Sequence, residues 1–129
     1  MKTLIATATL LTLPLGLSLT SAPAHASGGD DVRRSGSCTG GTAWKIKAKP
    51  DDGRIEVEAE IDSNRTGQTW RWTLRHDGRV ADSGRATTRG PSGSFSVERR
   101  ADDSPGRDAF RFTARNRASG ETCVARVRL

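Results

Sequence analysis

The chain has 129 residues, two cysteines, 5% aromatic and 28% charged residues, and a formal net charge of +6. That leaves room for one small basic domain and excludes a multidomain enzyme. Outside the N-terminal stretch, Leu, Ile, Val and Phe make up about 14% of the residues, below the roughly 20% at which a charged chain is suspected of disorder.

In chain order, Lys2 is followed by an apolar stretch from Leu4 to Leu19 and then by Ala22-Pro23-Ala24-His25-Ala26. Residues 1–26 read as a secretory signal peptide with an A-x-A cleavage site, leaving a mature chain of about 103 residues. No second apolar span follows that would hold the mature chain in a membrane. Residues 27–37 are Gly, Ser and charge with Val32 alone to bury, and read as a flexible leader before a β domain at 38–129.

Beyond Cys38, Trp44, Ile46 and Ala48 alternate with Lys45, Lys47 and Lys49 up to Pro50, the pattern of a half-buried strand. Asp51-Asp52-Gly53 predicts a hairpin turn. It leads into Ile55, Val57, Ala59 and Ile61 alternating with Glu56, Glu58, Glu60 and Asp62, so the Lys and Glu faces should meet across a hairpin. Trp70, Trp72 and Leu74 alternate with Arg71, Thr73 and Arg75 before a second turn signal at Asp77-Gly78. Val80 and Ala86 start short return strands. After the loop around Gly90-Pro91, Phe95 and Val97 form another strand, and Pro105-Gly106 sits in the turn from Asp102 to Asp108. Phe110, Phe112 and Ala114 then alternate with Arg111, Thr113 and Arg115, and Cys123, Ala125, Val127 and Leu129 with Arg126 and Arg128.

This gives about seven strands and no window with the 3.6-residue apolar spacing of a helix. One dry face per strand predicts an antiparallel, immunoglobulin-like sandwich, with a small β-barrel as the alternative. The predicted core is Trp44, Ile46, Ile55, Val57, Ile61, Trp70, Trp72, Leu74, Phe95, Val97, Phe110, Phe112 and Val127. Two cysteines allow one pairing. Cys38–Cys123 would tie the chain ends and close a loop of about 85 residues, worth on the order of 4 to 5 kcal/mol in the chain-entropy model.

From Thr42 to Leu129 the pattern resembles the immunoglobulin-like and fibronectin type III-like superfamily, with Trp70 or Trp72 in the third strand as the central core residue. It departs from true immunoglobulin domains in two ways. The cysteines flank the domain rather than lying beneath the tryptophan, and there is no tyrosine for a tyrosine corner. The export signal, the small size and the arginine-heavy surface also resemble small secreted proteins of actinobacteria.

Little catalytic chemistry is legible. His25 leaves with the signal, so His76 is the only mature histidine, and beside Asp77-Gly78 it reads as a solvated turn residue rather than a general base. Cysteines joined in a disulfide offer neither a thiolate nor a zinc ligand. The aspartate pairs at 30–31, 51–52 and 102–103 lack the spacing of a calcium loop and read as turns, so no metal, cofactor or catalytic residue is expected. The feature with functional reach is the set Arg71, Arg75, Arg111, Arg115, Arg126 and Arg128 on outward strand positions. If the last two strands are neighbours, these form one cationic patch, and no aromatic is interleaved for base stacking. The expectation is a non-enzymatic, monomeric binding, adhesion or structural module, secreted or held at the cell wall. Its partner would be an anionic cell-wall polymer or a secreted protein. The alternative is a secreted protease inhibitor presenting the loop Thr87–Gly93, and the plainest reading of the arginines is a solvated face set by genome composition.

Overall fold

The computed structural model describes residues 31–129. The expected signal peptide, residues 1–26, and residues 27–30 of the expected leader lie outside them. The alternating segments form eight strands: β1 Val32–Ser37, β2 Ala43–Asp51, β3 Arg54–Asp62, β4 Thr69–His76, β5 Arg79–Thr87, β6 Ser94–Asp102, β7 Ala109–Asn116 and β8 Thr122–Arg128. They pair antiparallel in two four-stranded sheets, β1-β2-β3-β6 (sheet A) and β5-β4-β7-β8 (sheet B). The described residues contain no helix.

Two hairpins are fixed by their turns. Asp52 and Gly53 (φ 53° and 77°) and Asp77 and Gly78 (φ 49° and 82°) place both central residues in the left-handed region. A two-residue type I′ turn requires this, and its twist matches that of the strands it joins. The first turn sets Lys45, Lys47 and Lys49 opposite Glu60, Glu58 and Glu56, with Lys47 and Glu58 at 4.0 Å.

Every second side chain along β3, β4, β7 and β8 points between the sheets. Of the predicted core residues all but Trp44 are at most 8% exposed. Trp44 is half-buried and packs against the core's edge, its ring lying over Gly36 of the edge strand β1. Trp72 stacks on Phe112 at 5.7 Å between centroids, and Trp70 meets Phe95 at 6.5 Å.

One expectation is corrected. Residues 32–37 are not a flexible leader but strand β1, paired with β2 from Val32↔Ala48 to Ser37↔Ala43. The domain therefore starts at Val32, with eight strands rather than seven. The glycine that suggested flexibility has a packing role, since a Cβ on Gly36 would lie 2.5 Å from the Trp44 ring. Gly84 of β5 faces Trp72 in the same way, at 2.9 Å. Each of these sheets thus has an edge strand whose glycine accommodates a tryptophan of its neighbour.

The lateral sides, where β1 lies against β8 and β5 against β6, are closed differently. Cys38 and Cys123 form a disulfide with their Cα atoms 4.3 Å apart. On the other side Arg99 turns inward, its guanidinium 5.2 Å over Trp72 and its Nε donating to Asp82 Oδ2 at 2.6 Å. An inward-pointing, paired charge of this kind keeps an open sheet edge from recruiting another strand.

Candidate functional site: a cationic sheet face

The outward face of sheet B follows from register. β4 lies between β5 and β7, and β7 between β4 and β8. Arg85, Arg71 and Arg115 therefore stand side by side across three strands, and Arg75, Arg111 and Arg126 form a second row. Arg128 extends the face along β8. All six arginines expected from the sequence thus share one face. The structure adds Arg85, which the sequence reading missed. Its only signal was the alternation of Ser83, Arg85 and Thr87 with Gly84 and Ala86, and neither small residue marks a buried face on its own.

Four pairs of arginines face each other directly: Arg71↔Arg85, Arg71↔Arg115, Arg75↔Arg111 and Arg111↔Arg126. Like charges at directly opposed strand positions destabilise a sheet. No outward position on β4, β5, β7 or β8 carries Asp or Glu. Among the described residues none of the seven arginines is in an ion pair. Sheet A, built on the same plan, opposes lysine to glutamate between β2 and β3, although Arg33 faces Lys47 and Glu58 faces Glu98 in its other ladders. Its face carries both signs of charge, whereas that of sheet B carries one.

Between the arginine rows lies a row of short side chains, Ser83, Thr73, Thr113 and Val124. A depression bounded by Arg71 and Arg85 opens over Thr73 and Ser83. A second, toward the other end of the face, is bounded by Arg75, Arg111, Arg126 and Arg128. The aromatic side chains of these strands, Trp70, Trp72, Phe110 and Phe112, are all buried on the opposite face.

His76 is not the solvated turn residue expected. It is half-buried, stacks on Phe110 with centroids 4.5 Å apart, and its Nε2–H donates to Asp108 Oδ1 at 2.6 Å. Asp108, only 2% exposed, also accepts from Ser104 Oγ at 2.5 Å and Ser104 N at 3.2 Å. Ser104 Oγ lies 3.0 Å from Asp77 Oδ2, and Asp77 Oδ1 accepts from Ala109 N at 2.8 Å. The order of contacts is serine, aspartate, histidine. An acyl-transfer triad needs the imidazole between the other two, so that it can take the serine proton; here that proton points at carboxylates. His76, Asp77 and Asp108 also lie close enough together to surround a cation, but their polar atoms are engaged in pinning the β4–β5 turn to the start of β7. Nothing in the order of residues marks this network, since Asp108 and Ser104 lie in a stretch with the composition of a turn.

No family model matches the chain, and comparison with curated proteins and with solved structures gave no match.

At the disulfide end a polar cleft opens between the β1–β2, β3–β4 and β7–β8 connections. Glu121 lies in it, accepting from Thr42 N at 3.0 Å and Thr42 Oγ1 at 2.7 Å. Burial alone would raise the Glu121 carboxyl, but these two bonds, with the backbone of Gly40 and the charge of Arg65, outweigh it and hold it below the usual carboxylate range. The loop Thr87–Gly93 is at the same end. Thr88 is buried and bonded to Arg65 O and Gln68 N. Gly93 N and Ser94 N both turn back onto Arg89 O. The exposed part is a closed turn from Arg89 to Ser92, not an extended segment.

Proposed function

We propose that this chain is a non-enzymatic, secreted binding module whose sheet B face holds polyanions of the cell envelope or the extracellular medium. The supporting observation is the placement of seven arginines, with no carboxylate, on one sheet face where four pairs oppose each other. Repulsion of this kind lowers the stability of the free domain, and a bound polyanion relieves it by neutralising both partners of each pair. Arginine also suits the task, since its planar fork pairs with phosphate or carboxylate oxygens two at a time.

The fold reading extends to a superfamily. With β1 set aside, seven antiparallel strands remain in sheets of three and four, and the buried Trp70 and Trp72 fall in the third of them, which supports the immunoglobulin-like and fibronectin type III-like reading. We read the chain as a member of that architecture carrying one additional N-terminal edge strand.

The test is co-sedimentation of the mature protein with envelope preparations at roughly 50 and 500 mM salt, alongside an Arg71→Gln/Arg111→Gln variant. The wild type should bind at low salt and be released at high salt. The variant should bind weakly while melting no lower than the wild type, because each substitution removes one charge and with it two like-charge oppositions. Equal binding by the two proteins, or none by the wild type, would dispose of the proposal.

A further inference from the structure

Seven positive charges could attract any polyanion, but their arrangement is selective. The two rows, Arg85-Arg71-Arg115 and Arg75-Arg111-Arg126, sit four residues apart along the strands, about 13 Å at the usual strand rise. Within a row, successive arginines are about 4.8 Å apart, the distance between neighbouring strands. The row between them is Ser83, Thr73, Thr113 and Val124, of which Thr73 and Thr113 are half-buried beneath the longer arginine stems. By register and side-chain length the face is a shallow trough running across the strands, with a cationic wall on each side and Ser83, Thr73, Thr113 and Val124 on its floor, open as a depression over Thr73 and Ser83.

Resting on the polyanion reading of this face, we infer that the trough accommodates a single flexible strand of closely spaced phosphates lying across β5, β4, β7 and β8. Such a strand fits between the walls, takes guanidinium forks from both sides, and receives hydrogen bonds from the Thr73 and Thr113 hydroxyls. A rigid duplex carries its phosphates on the outside of a stiff rod and would ride on the arginine tips without reaching the floor. A membrane surface is held off in the same way. Val80 and Val124, the exposed large apolar residues, lie on different strands at opposite sides of the sheet and offer no wedge to insert between lipids. Bases and sugar rings find no aromatic platform, because Trp70, Trp72, Phe110 and Phe112 all face inward. What remains addressed is the anionic backbone itself, that of a linear polyphosphate.

The experiment compares three probes at equal phosphate concentration: long-chain inorganic polyphosphate, duplex DNA, and mixed phosphatidylcholine–phosphatidylglycerol vesicles. The proteins are the full mature chain, Thr73→Val/Thr113→Val, and Arg71→Gln/Arg111→Gln, each checked by thermal melting. Polyphosphate should bind tightest. The double valine variant, unchanged in charge, should lose about tenfold for polyphosphate, the equivalent of two ordinary hydrogen bonds, and nothing for vesicles or duplex. If all three probes bind alike or a different one binds best, or if the valine variant is silent while the glutamine variant weakens every probe, the trough is overturned and the broader polyanion reading stands. If the glutamine variant weakens none of them, both fall.

Discussion

Asp108 is almost without access to water, yet its carboxyl sits at about 2, below the usual 3.8. Burial alone would push it up. The hydrogen bonds from Ser104 and His76 act on the ionised form and outweigh that effect. A carboxyl whose value falls on folding contributes stability above its unfolded value, and that contribution is lost as pH drops from about 4 towards 2. The difference corresponds to about 2 kcal/mol, lessened by neighbouring Asp103, whose bond to Asp108 moves it the other way. The melting temperature of the wild type should therefore fall steeply over that interval. Asp108→Asn should melt lower at neutral pH and fall less steeply in acid. Parallel curves for the two proteins would show that the network does not stabilise the fold through this charge.

At the scale of the element, β1 shows how an edge strand can be held by something other than its own apolar residues. Its backbone completes sheet A, and Gly36 leaves room for the Trp44 ring. Gly36→Val should push that ring aside and destabilise the domain by about 1 to 3 kcal/mol, the usual effect of overpacking, read from chemical denaturation. In a flexible leader the same change would be silent. Six of the other strands were legible because each alternates large apolar residues with polar ones, and the two Asp-Gly turns fixed where β2–β3 and β4–β5 fold back; β5 was legible only as short return strands at Val80 and Ala86, where the structure has one strand whose single large apolar residue, Val80, is exposed. β1 was not, because Gly and Ser score as flexible unless one knows which side chain lies above them. The arginine face was legible as six outward positions, whereas the two rows and Arg85 depend on which strands are neighbours. Strand order is set by the long-range packing of the sheets, which alternation does not encode. The His76 network was illegible for a related reason: its two halves, His76-Asp77 and Ser104 to Ala109, are bonded across 27 to 32 residues of sequence and meet only at the end of the sandwich.

For the whole molecule, the disulfide contributes more than its local contacts. It spans 85 residues, and removing it frees the unfolded chain by about 4 to 5 kcal/mol in the chain-entropy model. A domain this small and sparsely apolar has little stability in reserve, and such a bond belongs to an oxidising environment. Cys38→Ala/Cys123→Ala should melt roughly 20 °C lower; a drop of only a few degrees would mean that the unfolded chain is already compact or that the bond is strained. The same bond has a mechanical consequence. Tension applied to the two ends of the domain enters along β1 and leaves along β8, and it meets the Cys38–Cys123 link before reaching anything between them. Pulling can peel Val32–Ser37 from β2 and Val124–Arg128 from β7, and there it stops. Residues 39–122, including both threonines and five of the seven arginines of the cationic face, lie off the load path, so the domain can be anchored at one end and tugged at the other while most of its working surface stays slack.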